Sequence, residues 1–275
     1  MRRRFIGLMA GAVLTLALAM PASAIVYGQP TGPGSYANVG ALIAEFEVEG
    51  EALQFSVCTG TLIDDGDGDA WSELFLTASH CIFSERVWVS FDHDLETDPA
   101  RFGSLVPGAD VLHNGTANPH PRFACCGASD TFDIAVVVLD AEVHGSPAPI
   151  AAEGELDALT AQELRSTVFT AVGYGTVRDS RTTGWQGIRS SEGVRSYADQ
   201  SAQSLTKAWL TLSMNQATGN GGTCYGDSGG PHFLPDGTVV SITVTGDANC
   251  KATDKSYRID SAVSQEFLAP FLATY

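Results

Sequence analysis

Positive charge is scarce in this chain. Only 15 Lys and Arg stand against 32 Asp and Glu, for a formal net charge of −17 at pH 7. Such a surface repels nucleic acid and anionic membranes, so neither is expected as a partner. Long apolar runs are also missing after the first 24 residues, and no later segment reaches the length of a membrane span, so stable insertion is not expected. Internal repeats and low-complexity tracts are absent, and Pro and Gly follow no period, which excludes fibrous and disordered classes. Long amphipathic helical patterns are few. With 44% hydrophobic residues over 275 positions, the chain can instead bury a sizeable core in one or two domains.

The first 24 residues read as a processing segment. Arg2, Arg3 and Arg4 precede a small-and-apolar run from Leu8 to Met20, and Ala22-Ser23-Ala24 closes it with the small residues a signal peptidase needs. A retained anchor is the competing reading, and the run is short for one. Cleavage after Ala24 makes residues 1–24 a signal peptide and the protein secreted and extracellular. It removes three arginines and no acid, so the mature chain is more acidic still.

Short apolar or alternating segments recur along the remainder. Ala41–Val48, Leu53–Cys58, Leu74–Thr77, Val87–Phe91, Ile134–Leu139, Val168–Val172, Trp209–Ser213 and Val239–Val244 read as strands, separated by Gly, Asp, Pro and Ser clusters. Many short strands of this kind predict barrels or sandwiches. The acidic run from Ala151 to Gln162 reads as an exposed linker or a short helix. Near the end, Val263, Phe267, Leu268 and Phe271 share a helical face that Pro270 is expected to break. Asp64-Asp65-Gly66-Asp67-Gly68-Asp69 invites a calcium reading. It does not complete the twelve-residue calcium loop, and a solvated hairpin tip is the preferred interpretation.

Six cysteines lie beyond residue 24, an even number in an exported chain, which predicts structural disulfides. Zinc ligation is the minor alternative, because the Cys125-Cys126 pair and the scattered histidines follow no usual ligand spacing. No cofactor or metal requirement is evident.

Three segments carry chemistry. In Gly226-Asp227-Ser228-Gly229-Gly230-Pro231, small residues flank a serine and would let a carbonyl approach the backbone. Taken blandly, the hexapeptide is a turn rich in Gly and Pro. A serine needs a base to become a nucleophile, and His80 is available at the end of an apolar strand in Leu76-Thr77-Ala78-Ser79-His80-Cys81. Asp133 opens the apolar run Ile134–Leu139, where burial is costly without a donating or cationic partner. By itself it could equally be a strand-end turn residue.

Together these segments resemble the chymotrypsin/trypsin family of serine proteases. The order His80, Asp133, Ser228 matches that family. So do Cys58-Thr59-Gly60-Thr61-Leu62-Ile63, Val172-Gly173-Tyr174-Gly175 and Tyr257-Arg258-Ile259, and the likeness extends from Ile25 to Tyr275. The resemblance implies an all-β fold of two packed six-stranded antiparallel barrels with a short C-terminal helix. Residues 25–150 would form the first barrel with His80 and Asp133, 151–260 a linker and the second barrel with Ser228, and 261–275 the helix. It implies a monomeric serine endopeptidase acting on protein or peptide substrates, with no cofactor. Related roles for the same chain are an inactive secreted binding protein or an esterase using the same triad.

The resemblance further assigns the backbone N–H groups of Gly226 and Ser228 to an oxyanion hole. Disulfides Cys58–Cys81 and Cys224–Cys250 follow from it, while Cys125 and Cys126 have no family counterpart and could bridge each other, stay reduced or pair with another chain, the adjacent bridge being the preferred reading. Ile25-Val26-Tyr27-Gly28 resembles the family's mature N-terminus, so Ile25 and Asp227 are expected to pair once the amine is freed. Tyr27 departs from the usual glycine. Gly222 occupies the position at the base of the substrate pocket, with Thr223 beside it and Thr243, Val244 and Thr245 as the wall. An uncharged Gly222 predicts an uncharged or hydrophobic residue before the cleaved bond. The placement of Lys251, Asp254 and Lys255 stays open: an inward lysine would favour acidic side chains, and in the bland alternative all three charges face water.

Overall fold

A computed structural model describes residues 25–124, 129–178, 188–189 and 193–274. The signal segment and the Cys125-Cys126 pair lie outside these residues.

Six antiparallel strands close the first barrel: β1 (Val39–Val48), β2 (Glu51–Leu62), β3 (Trp71–Thr77), β4 (Arg86–Ser90), β5 (His113–Pro119) and β6 (Ala135–His144). Their order around the barrel is β1-β2-β3-β6-β5-β4. Glu49 and Gly50 join β1 to β2, both at positive φ (54° and 85°). A two-residue loop with both residues left-handed has the twist that antiparallel strands need.

The second barrel uses β7 (Val168–Gly173), β8 (Ser196–Leu205), β9 (Trp209–Ser213), β10 (Pro231–Phe233), β11 (Val239–Gly246) and β12 (Thr253–Arg258). Their order is β7-β8-β9-β12-β11-β10, the arrangement of the first barrel repeated, with Gln29–Pro30 added outside β8. Register shifts at Leu42/Ile43, Ser72/Leu74, Ala202/Ser204 and Thr243/Thr245 bend strands where the sheets close.

Every strand expected from apolar patterning is present. Four barrel strands were not legible that way: β5, β8, β10 and β12, whose residues are polar, small or too few to show a period. The acidic connection is a series of turns up to Thr160, which caps helix α1 (Ala161–Ser166) in a capping box with Glu163. Helix α2 (Ala262–Leu272) runs through Pro270 rather than breaking there. Proline falls in its last turn, where it removes one N–H from the ladder, and Ser261 caps the other end.

One apolar core extends through both barrels, from Leu42, Phe75 and Val137 to Phe233, Ile242 and Leu268. The seam also carries buried polar ties. Nη1 of Arg195, 2% exposed, lies 2.9 Å from Val39 O, 3.1 Å from Phe91 O and 3.0 Å from the Tyr174 hydroxyl.

Candidate active site

His80 follows β3 on the 3₁₀ turn Ser79–Cys81. Its backbone N–H donates to Asp133 Oδ1 at 2.9 Å, and its ring Nδ1 lies 2.8 Å from Asp133 Oδ2. Both carboxylate oxygens are thus engaged by one residue, which fixes the ring plane as well as its position. Asp133 is 4% exposed, and such burial is tolerable for a carboxylate with these donors. The ring of His80 remains part-exposed, so the imidazole has one face in the protein and one toward solvent. Ser79 locks the turn from behind, donating to Ile134 O at 2.6 Å and accepting His120 N–H at 3.1 Å.

The serine segment crosses from the second barrel onto the first. Ser228 O accepts Thr59 N–H at 2.9 Å, and Thr59 Oγ1 donates to Gly226 O at 3.0 Å. Cys81, next to His80, is bridged to Cys58, next to Thr59. The 3.6 Å approach of Cys81 Sγ to Ser228 O is therefore a packing contact, since a disulfide sulfur has no proton to give. The chain must turn sharply here. Gly226 and Gly229 stand at φ 97° and 79°, and a Cβ on Gly229 would lie 2.1 Å from Thr77 Oγ1. Among the described residues, neither the Gly226 N–H nor the Ser228 N–H has an acceptor, although both residues are only part-buried. Two such donors on one tight turn can serve an oxyanion.

A family model described as Trypsin matches residues 25–267. The chain belongs to the Trypsin family. An HL collagenase structure superposes on this trypsin-family chain with a TM-score of 0.63 at 15% identity, covering 91% of this chain and 100% of that one. A mutant of human heparin binding protein gives 0.61 at 16% identity, with 91% and 97% covered. At these identities the likeness is one of fold. No curated protein matches the chain.

Beside Ser228 the trypsin-family chain opens a cavity of about 320 Å³ lined by Thr223, Thr243, Val244, Thr245 and Asp247, among others. Gly222 is not part of the lining. A Cβ there would meet Met214 at 2.3 Å and Gln200 at 2.6 Å, and its backbone exchanges hydrogen bonds with Val26. The polar group under the cavity is one that apolar patterning concealed. Asp254 is fully buried, not water-facing, and its Oδ2 accepts from Thr223 Oγ1 at 2.7 Å and Gln200 Nε2 at 3.2 Å, with His232 Nε2 at 3.0 Å. Residue 254 alternates with outward Lys255, whose ammonium lies 4.4 Å from the Trp209 ring centroid. Period-two spacing was the available signal, but with polar residues on the inward face. Cys224–Cys250 braces the rim, with Cα atoms 5.4 Å apart.

Asp227 is wholly buried, and its carboxylate accepts N–H groups from Gly175 at 2.7 Å and Cys224 at 2.8 Å. Desolvation dominates over these donors and pushes its pKa up to about 7. Ile25 is buried with Ala171 and Ala198 at φ 73°, an unfavourable conformation for a β-branched residue. Tyr27 also has positive φ, and its hydroxyl is buried without a partner among the described residues. In the acidic 64–69 segment, Asp64, Asp65, Asp67 and Asp69 each accept the N–H two residues ahead, a run of local turns.

Proposed function

We propose that this chain is a secreted serine endopeptidase working through an acyl-enzyme on Ser228. Ser228 Oγ attacks the scissile carbonyl carbon as its proton passes to His80 Nε2. The carbonyl oxygen becomes an oxyanion held by the Gly226 and Ser228 N–H groups. Each such donor is worth about 3–4 kcal/mol to the transition state. Collapse breaks the C–N bond, and His80 returns the proton to the leaving amine. Water then attacks the ester with His80 again as base, releasing the acid and restoring Ser228. Asp133 holds Nδ1–H and stabilises the imidazolium. The observation that carries this reading is the double engagement of Asp133 by His80, on a turn stapled beside the residue that holds the Ser228 carbonyl.

The cavity beside Ser228 takes the side chain preceding the cleaved bond. Its walls are threonine and valine together with Asp247, whose carboxylate is already engaged by the N–H groups of Lys251, Ala252 and Thr253, so the cavity suits an uncharged or hydrophobic group. Thr223 spends its hydroxyl proton on Asp254, leaving none for a substrate carboxylate. Removal of residues 1–24 activates the enzyme. Freeing the Ile25 amine abolishes the φ constraint at that residue and supplies a cation for buried Asp227, whose charge is otherwise unmatched. The mature enzyme acts as a monomer.

A fluorophosphonate probe applied to oxidised mature protein is expected to label Ser228 and block peptide hydrolysis. Ser228→Ala and His80→Ala lower kcat by about 10⁴-fold or more. An unlabelled, inactive wild type would instead assign the chain a binding role. An extra residue retained before Ile25 abolishes turnover; full activity there would remove the activation pair from the scheme.

A further inference from the structure

The run from Ser129 to Asp133 delivers the first barrel's acid, yet it is held from the second barrel. Trp209 on β9 and Tyr257 on β12 are register partners, with ring centroids 5.5 Å apart edge to face. Each aims its polar atom at this run. Trp209 Nε1–H donates to Ser129 O at 2.8 Å, and the Tyr257 hydroxyl donates to Asp130 Oδ1 at 2.8 Å. That same oxygen accepts Phe132 N–H at 3.0 Å. A single carboxylate oxygen therefore ties β12 to the residue immediately before Asp133.

The tie has something to restrain. Phe132 stands at φ 52°, a conformation that an aromatic residue keeps only when its surroundings over-determine it. The Arg122 guanidinium lies 4.0 Å from its ring centroid, and the His120 ring stacks at 5.1 Å. Tyr257 is fully buried, and both burial and Asp130 raise its hydroxyl above the ordinary tyrosine value, so it remains a donor. Relaxation of Phe132 would swing the Asp133 carboxylate directly, because no residue intervenes.

We infer that Tyr257 and Asp130 are positioning residues for the Asp133 carboxylate, acting through Phe132, so that docking of the second barrel completes the acid arm contributed by the first. The inference rests on the proposed catalytic roles of His80, Asp133 and Ser228. Neither residue touches substrate. Among the described residues, the titratable or charged groups around the run are His80, His120, Arg122, Asp130, Asp133, Tyr257, Glu266 near His120 and, on Trp209, Lys255.

The test measures kcat, KM, the pH profile and Tm of oxidised mature enzyme. Tyr257→Phe deletes the hydroxyl and retains the ring. It is expected to lower kcat about tenfold with KM within about twofold, and to move the acid limb of kcat/KM to lower pH, because His80 loses the carboxylate that favours its protonated form. Asp130→Ala should do the same, whereas Asp130→Asn, which keeps an acceptor oxygen, should restore kcat to within about threefold of wild type. A merely structural contact would lower Tm and leave the limb in place. An unmoved kcat and acid limb in Tyr257→Phe overturns the inference, as does a loss that Asp130→Asn fails to rescue. Should Tyr257→Phe not fold, Trp209→Phe provides the same readout by removing the neighbouring donor. Fluorophosphonate labelling of the wild type separates two failures: no label sinks the enzyme reading, whereas a labelled wild type with an unmoved variant sinks the positioning role alone.

Discussion

The two barrels share one strand order but fill their interiors differently. In the first, Leu42, Leu62, Leu74, Phe75, Val89 and Val137 belong to the apolar core, and the buried polar side chains Thr59, Ser72 and Thr77 each bond singly to a backbone carbonyl. The second buries Gln200, His232, Asp254 and Ser256 together, and Arg258 with Asp260 nearby. An identical scaffold can thus carry its buried polar groups singly or gathered into one hydrogen-bonded network beside an apolar cluster of Phe169, Leu210, Leu212 and Val240. Networks of this kind add little net stability over an apolar filling, but losing one member is expensive. They do fix hydroxyl directions, which matters beside a pocket that must tell substrates apart.

The sharpest way to break this contrast is Asp254→Ala. It strands His232, Thr223 and Gln200 without their shared acceptor and should cost about 3–5 kcal/mol in urea unfolding, provided the protein folds at all. A loss below about 1 kcal/mol would mean that the second barrel is held by its apolar residues after all.

A smaller effect separates the barrels by function rather than stability. Cys58–Cys81 and Cys224–Cys250 close loops of similar length, 23 and 26 residues apart. Replacing either pair by serines should therefore cost a similar amount, about 2–4 kcal/mol. Their kinetic signatures should differ: the first pair chiefly lowers kcat, by loosening the His80 turn, and the second chiefly raises KM, by loosening the pocket rim. Matching kinetic losses would dissolve the distinction.

A third effect concerns Asp227. Its ordinary pKa is near 3.8, and burial raises it to about 7 while Ile25 is not a free terminus. Between those values the unfolded chain has released a proton that the folded chain retains. Folded stability therefore falls as pH rises from about 4 to 7, when Ile25 carries a preceding residue. A freed Ile25 ammonium removes that decline. Melting curves at pH 4.5 and 7, with and without one extra N-terminal residue, read the difference; parallel curves would refute the pairing.

How much of this was written in the sequence depended on which face of a strand was apolar. The first barrel's central strands announced themselves, since Val136 and Val137 or Leu74 and Leu76 are core residues in apolar runs. Two barrels with a C-terminal helix were legible through motif resemblance. In contrast, β8 and β12 remained hidden because their inward residues include Gln200, Asp254 and Ser256, which a hydrophobicity pattern scores as surface. β5 was hidden for a different reason: Gly115 occurs where a Cβ would lie 2.5 Å from Val137, so the strand's best-packed position has no side chain. At the candidate site, neighbouring residues in the motifs were readable, and the juxtaposition of His80 with Asp133 was expected. The Asp130–Tyr257 tie was not, because its partners are 127 residues apart and neither belongs to a motif that names the other. Gly222 drew attention through its offset from Ser228, yet the space around it is occupied by Met214 and Gln200.

Thr59 has a consequence that reaches past its own strand. It sits on β2, but its N–H and hydroxyl are committed across the seam, to Ser228 and Gly226, while its carbonyl accepts the Thr77 hydroxyl of its own barrel. Neither half of the chain therefore owns a finished reaction centre. Turnover is a gauge of how tightly the halves are joined, and it will register a parting of the seam while each half still keeps its sheet.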